Sequence, residues 1–401
     1  MSGHPSSEDR IAELRRSKVS VFSEREQLDR SLDPRIQVVS SKELRSARIS
    51  VVVDGEEVSR LVVVDFVQQI GRSMIRMGGI GGVETPEEHR FKGYARILMD
   101  NTLIWMRAEG YDTSMLHGVP SFYPKFGYTV AFPRITYTLE VKDAEALAPG
   151  RSSHRFVNFN GDCVNAVRRM YHRNNAGKTG RTLRRAGHWK NFQKGSNWGI
   201  DASCEVALDS HGRPAGYITY DNVDLKPNII EAGSMRGEVF PDILRVCIQL
   251  ARKERLDSLR FYLPEDDDFI HFLQPAGMKK EVVYLPDCGA MVRMIRIQTA
   301  LEKIAPELAS RTHGRGCLNI RTNLDAVRLE WKNGRMKIGE AGRKGPTVRM
   351  PQWALAQLLY GHRPASSLAA EGVIKASSRA VAILEELFPL QPHFQFTSDH
   401  F

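Results

Sequence analysis

The chain has 401 residues, of which 42% are hydrophobic and 26% charged, with a formal net charge of +10. That length exceeds one ordinary core and predicts two or three domains. No apolar run reaches membrane-spanning length and the polar start lacks a signal-peptide core, so a cytoplasmic protein with no membrane partner is expected.

Residues 1–45 are polar and highly charged and read as tail or loop, with one weak helix over 8–16. Residues 47–53, the turn Asp54-Gly55 and residues 61–67 form a hairpin signal. A further strand region runs from 69 to 83. Its end is apolar and Gly-dense (Ile80, Gly81, Gly82, Val83), and glycines in a strand mark a place where something approaches the backbone closely. The turn that follows carries Arg90, Phe91, Lys92, Gly93, Tyr94 and Ala95. Tyr94, Ile97, Leu98, Ile104, Trp105 and Ala108 then recur at helical spacing, and Gly110 supplies the stop. A strand feeding a helix whose first N–H groups are unpaired, beside Arg90 and Lys92, forms an anion cradle. Two rival phosphate motifs fail on spacing. Gly79 and Gly81 lack the third glycine of a dinucleotide fold, and Gly177-Lys178-Thr179 has His172 where a P-loop needs glycine. Residues 113–117 read as a strand, 118–128 as an aromatic loop with Tyr123 and Tyr128, and 135–141 as another strand.

Residues 143–153 read as a linker. Beyond it come a helix over 161–173, a hairpin of 205–208 and 215–221, a helix over 241–254 and a strand over 258–263. This order loosely repeats the first unit, without an Arg-x-x-Gly-x-Ala/Gly pattern between Glu231 and Asp242. Arg168, Arg169, Arg173, Lys178, Arg181, Arg184 and Arg185 form the densest basic run. With one tyrosine and no nucleic-acid motif, it reads as a solvated helical face, and no nucleic-acid partner is expected. Asp266-Asp267-Asp268 reads as a solvated turn. The five cysteines lie far apart with no C-x-x-C pair, so neither a metal site nor a disulfide framework is expected. From 291 the pattern is a helix (299–310), strands (316–322, 326–331, 335–339 and 347–350, with Asn333-Gly334 as a type I′ turn), and helices over 351–359 and 377–387. The expected units are 1–45, 46–145, 151–290 and 291–401.

Arg90-x-x-Gly93-x-Ala95 resembles the acyl-CoA pyrophosphate loop of the GNAT N-acetyltransferases. Tyr123-x-x-Phe126-Gly127-Tyr128 resembles the hairpin with which those enzymes close their site. Three further stretches complete the pattern: Leu116-His117, Leu359-Tyr360-Gly361-His362-Arg363 and Ser367-Leu368-Ala369-Ala370. With these and the final Phe401, residues 46–401 resemble the enhanced intracellular survival (Eis) acetyltransferases. The resemblance implies an α/β (α+β) chain: two GNAT-like mixed-sheet domains, the second degenerate, then a sterol-carrier-protein-like α+β domain. It implies acetyl-CoA held by the main chain of Ile80, Gly81, Gly82 and Val83, with Arg90 to Ala95 on the pyrophosphate. It further implies Tyr123 as general acid, the α-carboxylate of Phe401 as general base, a small-molecule or peptide amine as acceptor, and a homohexamer. His117 is a second candidate base, or else a satisfied strand histidine.

The sequence departs from the family at two places. Residues 1–45 are short and charged where the family has two helices walling the acceptor pocket. His400 stands where the aminoglycoside-modifying member has a glutamate, so aminoglycoside acetylation does not follow. The competing reading is a non-catalytic acyl-CoA or lipid-binding sensor or carrier.

Overall fold

The structure, a computed structural model, describes residues 20–21, 36–42, 45–119, 121–184, 200–223, 226–284, 289–392 and 394–401. The helix expected over 8–16, Arg185 and Cys288 lie outside them. The described residues begin with β1 (Ser20–Val21), β2 (Ile36–Lys42), β3 (Ser46–Val53) and β4 (Glu56–Ile70), an antiparallel meander. Asp54 (φ 51°) and Gly55 (φ 89°) turn β3 into β4, as the sequence predicts. β5 (Ser73–Glu84) returns antiparallel to β4, and α1 (Tyr94–Ala108) crosses to β6 (Thr113–Gly118), which lies parallel to β5. α1 buries Leu98, Met99, Thr102, Leu103, Trp105 and Met106, and ends where Gly110 takes φ 82°. β7 (Thr129–Phe132) follows a 3-10 turn, Tyr123–Phe126.

β8 (Arg134–Glu140) and α2 (Val141–Ala146) then open the second unit. It continues with β9 (Arg155–Asn158), α3 (Val164–Asn174), β10 (Ala202–Leu208), β11 (Pro214–Val223), β12 (Lys226–Ser234), α4 (Phe240–Lys253), β13 (Ser258–Phe261), α5 (Asp268–Leu273) and β14 (Lys279–Val283). Here too a parallel pair, β12 and β13, is joined by a crossover helix, α4. β15 (Gly289–Met294) leads to the third unit: α6 (Ile297–Ser310), β16 (Arg315–Arg321), β17 (Ala326–Lys332), β18 (Arg335–Glu340), β19 (Thr347–Arg349), α7 (Gln352–Leu359), α8 (Ala365–Ala370) and α9 (Ser378–Leu387). Among the described residues the sheets run β1-β2-β3-β4-β5-β6-β15-β7, β14-β8-β13-β12-β11-β10-β9 and β18-β17-β16-β19. The mixed α/β fold expected from the sequence is the fold of the chain.

Several expectations are corrected. Residues 36–42 are not tail: their alternating Ile36, Val38 and Ser40 fit a half-buried strand that pairs along the whole of β3. The units also do not part cleanly at 145 and 290. β8 pairs with β13 and β14 of the second sheet, while β15 inserts between β6 and β7 of the first. Relative to those boundaries the two units exchange a strand: β8, buried on one face, completes the second sheet, and β15, buried along almost its whole length, is paired on both edges in the first. Residues 141–146 of the expected linker region are helical. The aspartate triplet is no solvated turn: Asp267 is buried and accepts from the N–H of Phe269 as the cap of α5, and burial pushes its carboxyl up to about 6. Asp266 pairs with Arg181 and Lys178. Arg181 and Arg184 are fully buried, so that part of the basic run is no solvated face.

The first sheet is covered on both sides. Against α1 it buries Ile49, Leu61, Val63, Ile80, Leu116 and Tyr128. Its other face joins Phe66, Met77 and Met115 to the apolar side of the third unit, including Leu301 and Leu355.

Candidate active site

β5 is the floor of the site. Its ladder with β4 slips between Arg60↔Glu84 and Val62↔Gly81, so Leu61 faces two residues, Gly82 and Val83. Gly82 takes φ 58° at this bulge, a conformation an L side chain rarely adopts. On the other edge, pairing with β6 stops at Ile80↔Leu116. From Gly81 onward the two parallel strands part, and the main chain of Gly81, Gly82 and Val83 has no β6 ladder. Ile80 stays buried under α1 and Val83 packs beside it. The Ser59 hydroxyl donates to the carbonyl of Glu84 (3.1 Å) and bonds the Thr85 hydroxyl (2.8 Å), which fixes the end of the strand.

The turn into α1 fits an anion. Phe91 (φ 62°) and Gly93 (φ 85°) are both left-handed, and Gly93 caps α1 with no side-chain hydrogen bond to its first N–H groups. A Cβ on Gly93 would meet nothing within 4 Å, so the space above those donors is open. Arg90, Phe91 and Lys92 are exposed, while Tyr94 and Ala95 are half-buried at the helix start. Arg90 Nε donates to the carbonyl of Thr85 at 3.2 Å. Among the described residues no carboxylate pairs with Arg90 or Lys92, which leaves both cations for a ligand. On the far side of α1, a cavity of about 470 Å³ is lined by Arg96, Asn101, Arg107, Lys125 and Arg293.

Tyr123 opens the 3-10 turn after β6. Its ring lies across Gly118, where a Cβ would sit 2.2 Å from it, and edge-on to Phe122 at 5.1 Å. Tyr128, by contrast, is fully buried and bonds the Ser114 hydroxyl at 2.7 Å, which makes it a structural tyrosine.

Phe401 lies on the opposite face of the same sheet. A Cβ at Gly79 would be 2.8 Å from its ring, and one at Gly81 would be 3.1 Å from its carboxyl carbon and oxygen. Two glycines, two residues apart on one strand, thus clear a track for this residue. Its ring stands 5.4 Å from those of Phe66 and His117, and only 8% of the residue is exposed. Burying a phenylalanine contributes on the order of 1.5–3 kcal/mol, enough to oppose the fraying usual at a chain end. His117 precedes Gly118 on β6. Burial, reinforced by His400, pushes its imidazole down to about 4, so it is neutral near pH 7. Tyr123 and Phe401 therefore flank the end of β6 from its two faces, at the place where β5 and β6 part.

Sequence reading singled out the strand, the turn into α1, Tyr123 and Phe401, and the fold brings these to one end of β5 and β6. It missed the groups that hold the final segment. Arg181 donates to the carbonyl of Phe394 and Arg184 to Asp399, both from within the run taken for a solvated face. The apolar alternation of Phe394 and Phe396, both buried in the second unit's core, was the available signal.

Residues 4–131 match the family model described as the acetyltransferase (GNAT) domain, and residues 319–395 that of the sterol carrier protein domain. No curated protein is significantly similar to the chain in sequence. Among solved structures, a probable N-acyltransferase of Enterococcus faecalis superposes with a TM-score of 0.72 at 16% identity, over 89% of this chain and 90% of that one. A GCN5-related N-acetyltransferase of Kribbella flavida gives 0.69 at 18%, over 88% and 87%. An Eis protein of Mycobacterium abscessus gives 0.64 at 17%, over 90% and 92%. The described helices include none long and apolar enough to cross a membrane. The chain is an enzyme with an acetyltransferase (GNAT) domain at its N-terminal end and a sterol carrier protein domain behind it.

Proposed function

We propose that the chain transfers an acetyl group from acetyl-CoA to an amine, a small polyamine or a lysine side chain, by direct attack. The observation that carries this reading is the carboxyl group of Phe401 resting on Gly81, beside the bulge and opposite Tyr123. Bound at the cradle, acetyl-CoA would supply the acetyl thioester. The uncapped N–H groups of α1, with Arg90, Lys92 and Gly93, would hold its pyrophosphate, and the open space over Gly82 and Gly93 suits that group. The Val83 N–H would donate to the acetyl oxygen as it gains charge. The Phe401 carboxylate would take the proton from the attacking amine, and the Tyr123 hydroxyl would donate its proton to sulfur. His117, neutral and with no partner at Nδ1 among the described residues, has its ring 5.4 Å from that of Phe401. A cytoplasmic, Eis-type homo-oligomer, up to a hexamer, belongs to the same reading.

Thiol release from acetyl-CoA in the presence of spermidine and of lysine peptides tests it. Turnover with at least one amine is expected, and an extension of several residues after Phe401 should abolish most of it. Acetyl-CoA binding with no turnover on any amine would favour the carrier alternative. A full rate with the extension in place would remove Phe401 from the role of base.

A further inference from the structure

The second unit has no cofactor turn, yet it grips the segment that ends at Phe401. The Arg184 side chain is 2% exposed. Both terminal nitrogens donate to Glu231, at 2.9 and 2.7 Å, in a two-point fork. Its Nε donates to Asp399 at 2.7 Å, and one terminal nitrogen also donates to the Ser398 hydroxyl at 2.8 Å. Tyr217 donates to Glu231 at 2.6 Å, and Tyr171 donates weakly to Asp399 at 3.4 Å from beneath the guanidinium. Burial opposes the charge on Arg184, but the two facing carboxylates more than offset it.

The same stretch of chain is tied to the first sheet. Main-chain bonds run from Gln69 N–H to Arg181, from Gly180 N–H to Gln69 and from Leu183 N–H to Val67, all between 2.8 and 2.9 Å. Thr179 donates to Gly71's neighbour in space, Gln391, while its own oxygen accepts from the Gly71 N–H. Residues 179–184 therefore form a strap whose one edge is laddered to β4, the strand beside β5, and whose side chains hold Gln391, Phe394, Ser398 and Asp399. Asp399 lies two residues before Phe401, so wherever the strap holds Asp399 decides where the Phe401 carboxyl falls on β5.

We propose that Arg184, braced by Glu231, is a positioning residue for the acetyl transfer: through Asp399 and Ser398 it sets the Phe401 carboxyl against Gly81. This gives the second unit a role in the chemistry of the first, and it rests on the reading of Phe401 as base. A group held two residues from its anchor keeps its place only while the anchor is rigid. A buried, multiply bonded guanidinium is such an anchor.

The experiment uses the full chain with Asp399→Asn, which keeps the size and one acceptor but removes the charge that faces Arg184, and with Arg184→Lys, which cannot form the fork. Three quantities are read. The first is the release of phenylalanine by carboxypeptidase A, which reports how firmly Phe401 is held without any acceptor. The second is kcat and acetyl-CoA KM with spermidine, or with water as acceptor where spermidine is not turned over. The third is the melting temperature. The expected result is release several times faster than from the unaltered chain and kcat lower by about tenfold or more, within the range of a displaced base. Acetyl-CoA KM should stay within about twofold, since the cradle is untouched. Unchanged kcat, unchanged release, or a fall in kcat matched by a rise in acetyl-CoA KM would each overturn the proposal. A chain extended after Phe401 separates the two ideas. If the extension destroys turnover while Asp399→Asn leaves it intact, the positioning role fails and the base survives. If neither matters, the base reading fails as well.

Discussion

In the first unit β5 runs into α1 through Gly93, with open space above the first N–H groups and, beside them, two cations that no carboxylate among the described residues pairs with. In the second, β12 runs into α4 through Arg236 and a short 3-10 turn, and the first turn of the helix contains Asp242. That carboxylate is buried and accepts from the Ser153 N–H at 3.1 Å, the Ser153 hydroxyl at 3.0 Å and the imidazole of His154 at 2.6 Å, with Arg245 alongside. The two turns share a topology, and each presents the positive end of a crossover helix. One leaves that end to a ligand, while the other has an internal anion there, worth about 0.3–1 kcal/mol and up to ~2 when partly buried. A helix start becomes a ligand site only where the chain withholds its own counter-charge.

Damage to the first turn should therefore cost turnover or cofactor affinity, and damage to the second should cost stability alone. The largest effect is expected from Tyr123→Phe, which removes the hydroxyl proposed to protonate sulfur beside the first turn. kcat should fall by roughly ten- to ten-thousandfold, as for loss of a general acid, measured by thiol release. A rate within about twofold of the unaltered protein would take Tyr123 out of the mechanism. Next comes Gly93→Val. A branched side chain in the left-handed region costs about 1–2 kcal/mol and would also cover the open donors. Acetyl-CoA KM should rise about tenfold or more, read from saturation curves, while Asp242→Asn should leave it unchanged.

Asp242→Asn should instead lower stability by roughly 1–3 kcal/mol in denaturant unfolding, the range for charged hydrogen bonds. The pH dependence follows from the sign of the shift. Burial raises the Asp242 pKa, but the bonds from His154 and Ser153 outweigh it and hold the folded value below the ordinary one. Its contribution is present above the unfolded value, about 3.9, and is lost as pH falls through the folded value. The asparagine variant should lack that part of the acid sensitivity. The smallest effect belongs to Arg90→Ala with Lys92→Ala. Exposed cations at a phosphate contribute little each, so a several-fold rise in acetyl-CoA KM is expected, shrinking as salt is raised. A salt-independent change would mean that the loop had been distorted.

The local signals in the sequence were those that neighbours in the chain decide. Asp54-Gly55, Asn333-Gly334 and the stop at Gly110 sit where their backbone freedom is needed. The glycines at 81 and 82 announced a close approach, and the Phe401 carboxyl makes one at Gly81. What the sequence left open depends on partners far away. Alternation marks β8 as a half-buried strand but cannot say into which sheet it goes, and the short apolar stretch of β15 carries no periodicity of its own. Arg184 and Asp399 are 215 residues apart, and nothing beside Arg184 in the chain separates a buried fork from a solvated cation. Residues 36–42 look polar because their flanks are, although every second side chain turns toward the sheet.

The exchange of β8 for β15 has a consequence for how this molecule can be taken apart. A cut near 145 does not free two smaller proteins: it leaves the first sheet short of β15 and the second short of β8, each of which sits in the other piece. Fragments should recover a native spectrum only when mixed, in a one-to-one ratio. A module that has lent out part of its own frame cannot be dropped, whatever becomes of its pocket, and this interlock keeps the plugged copy in service as scaffolding.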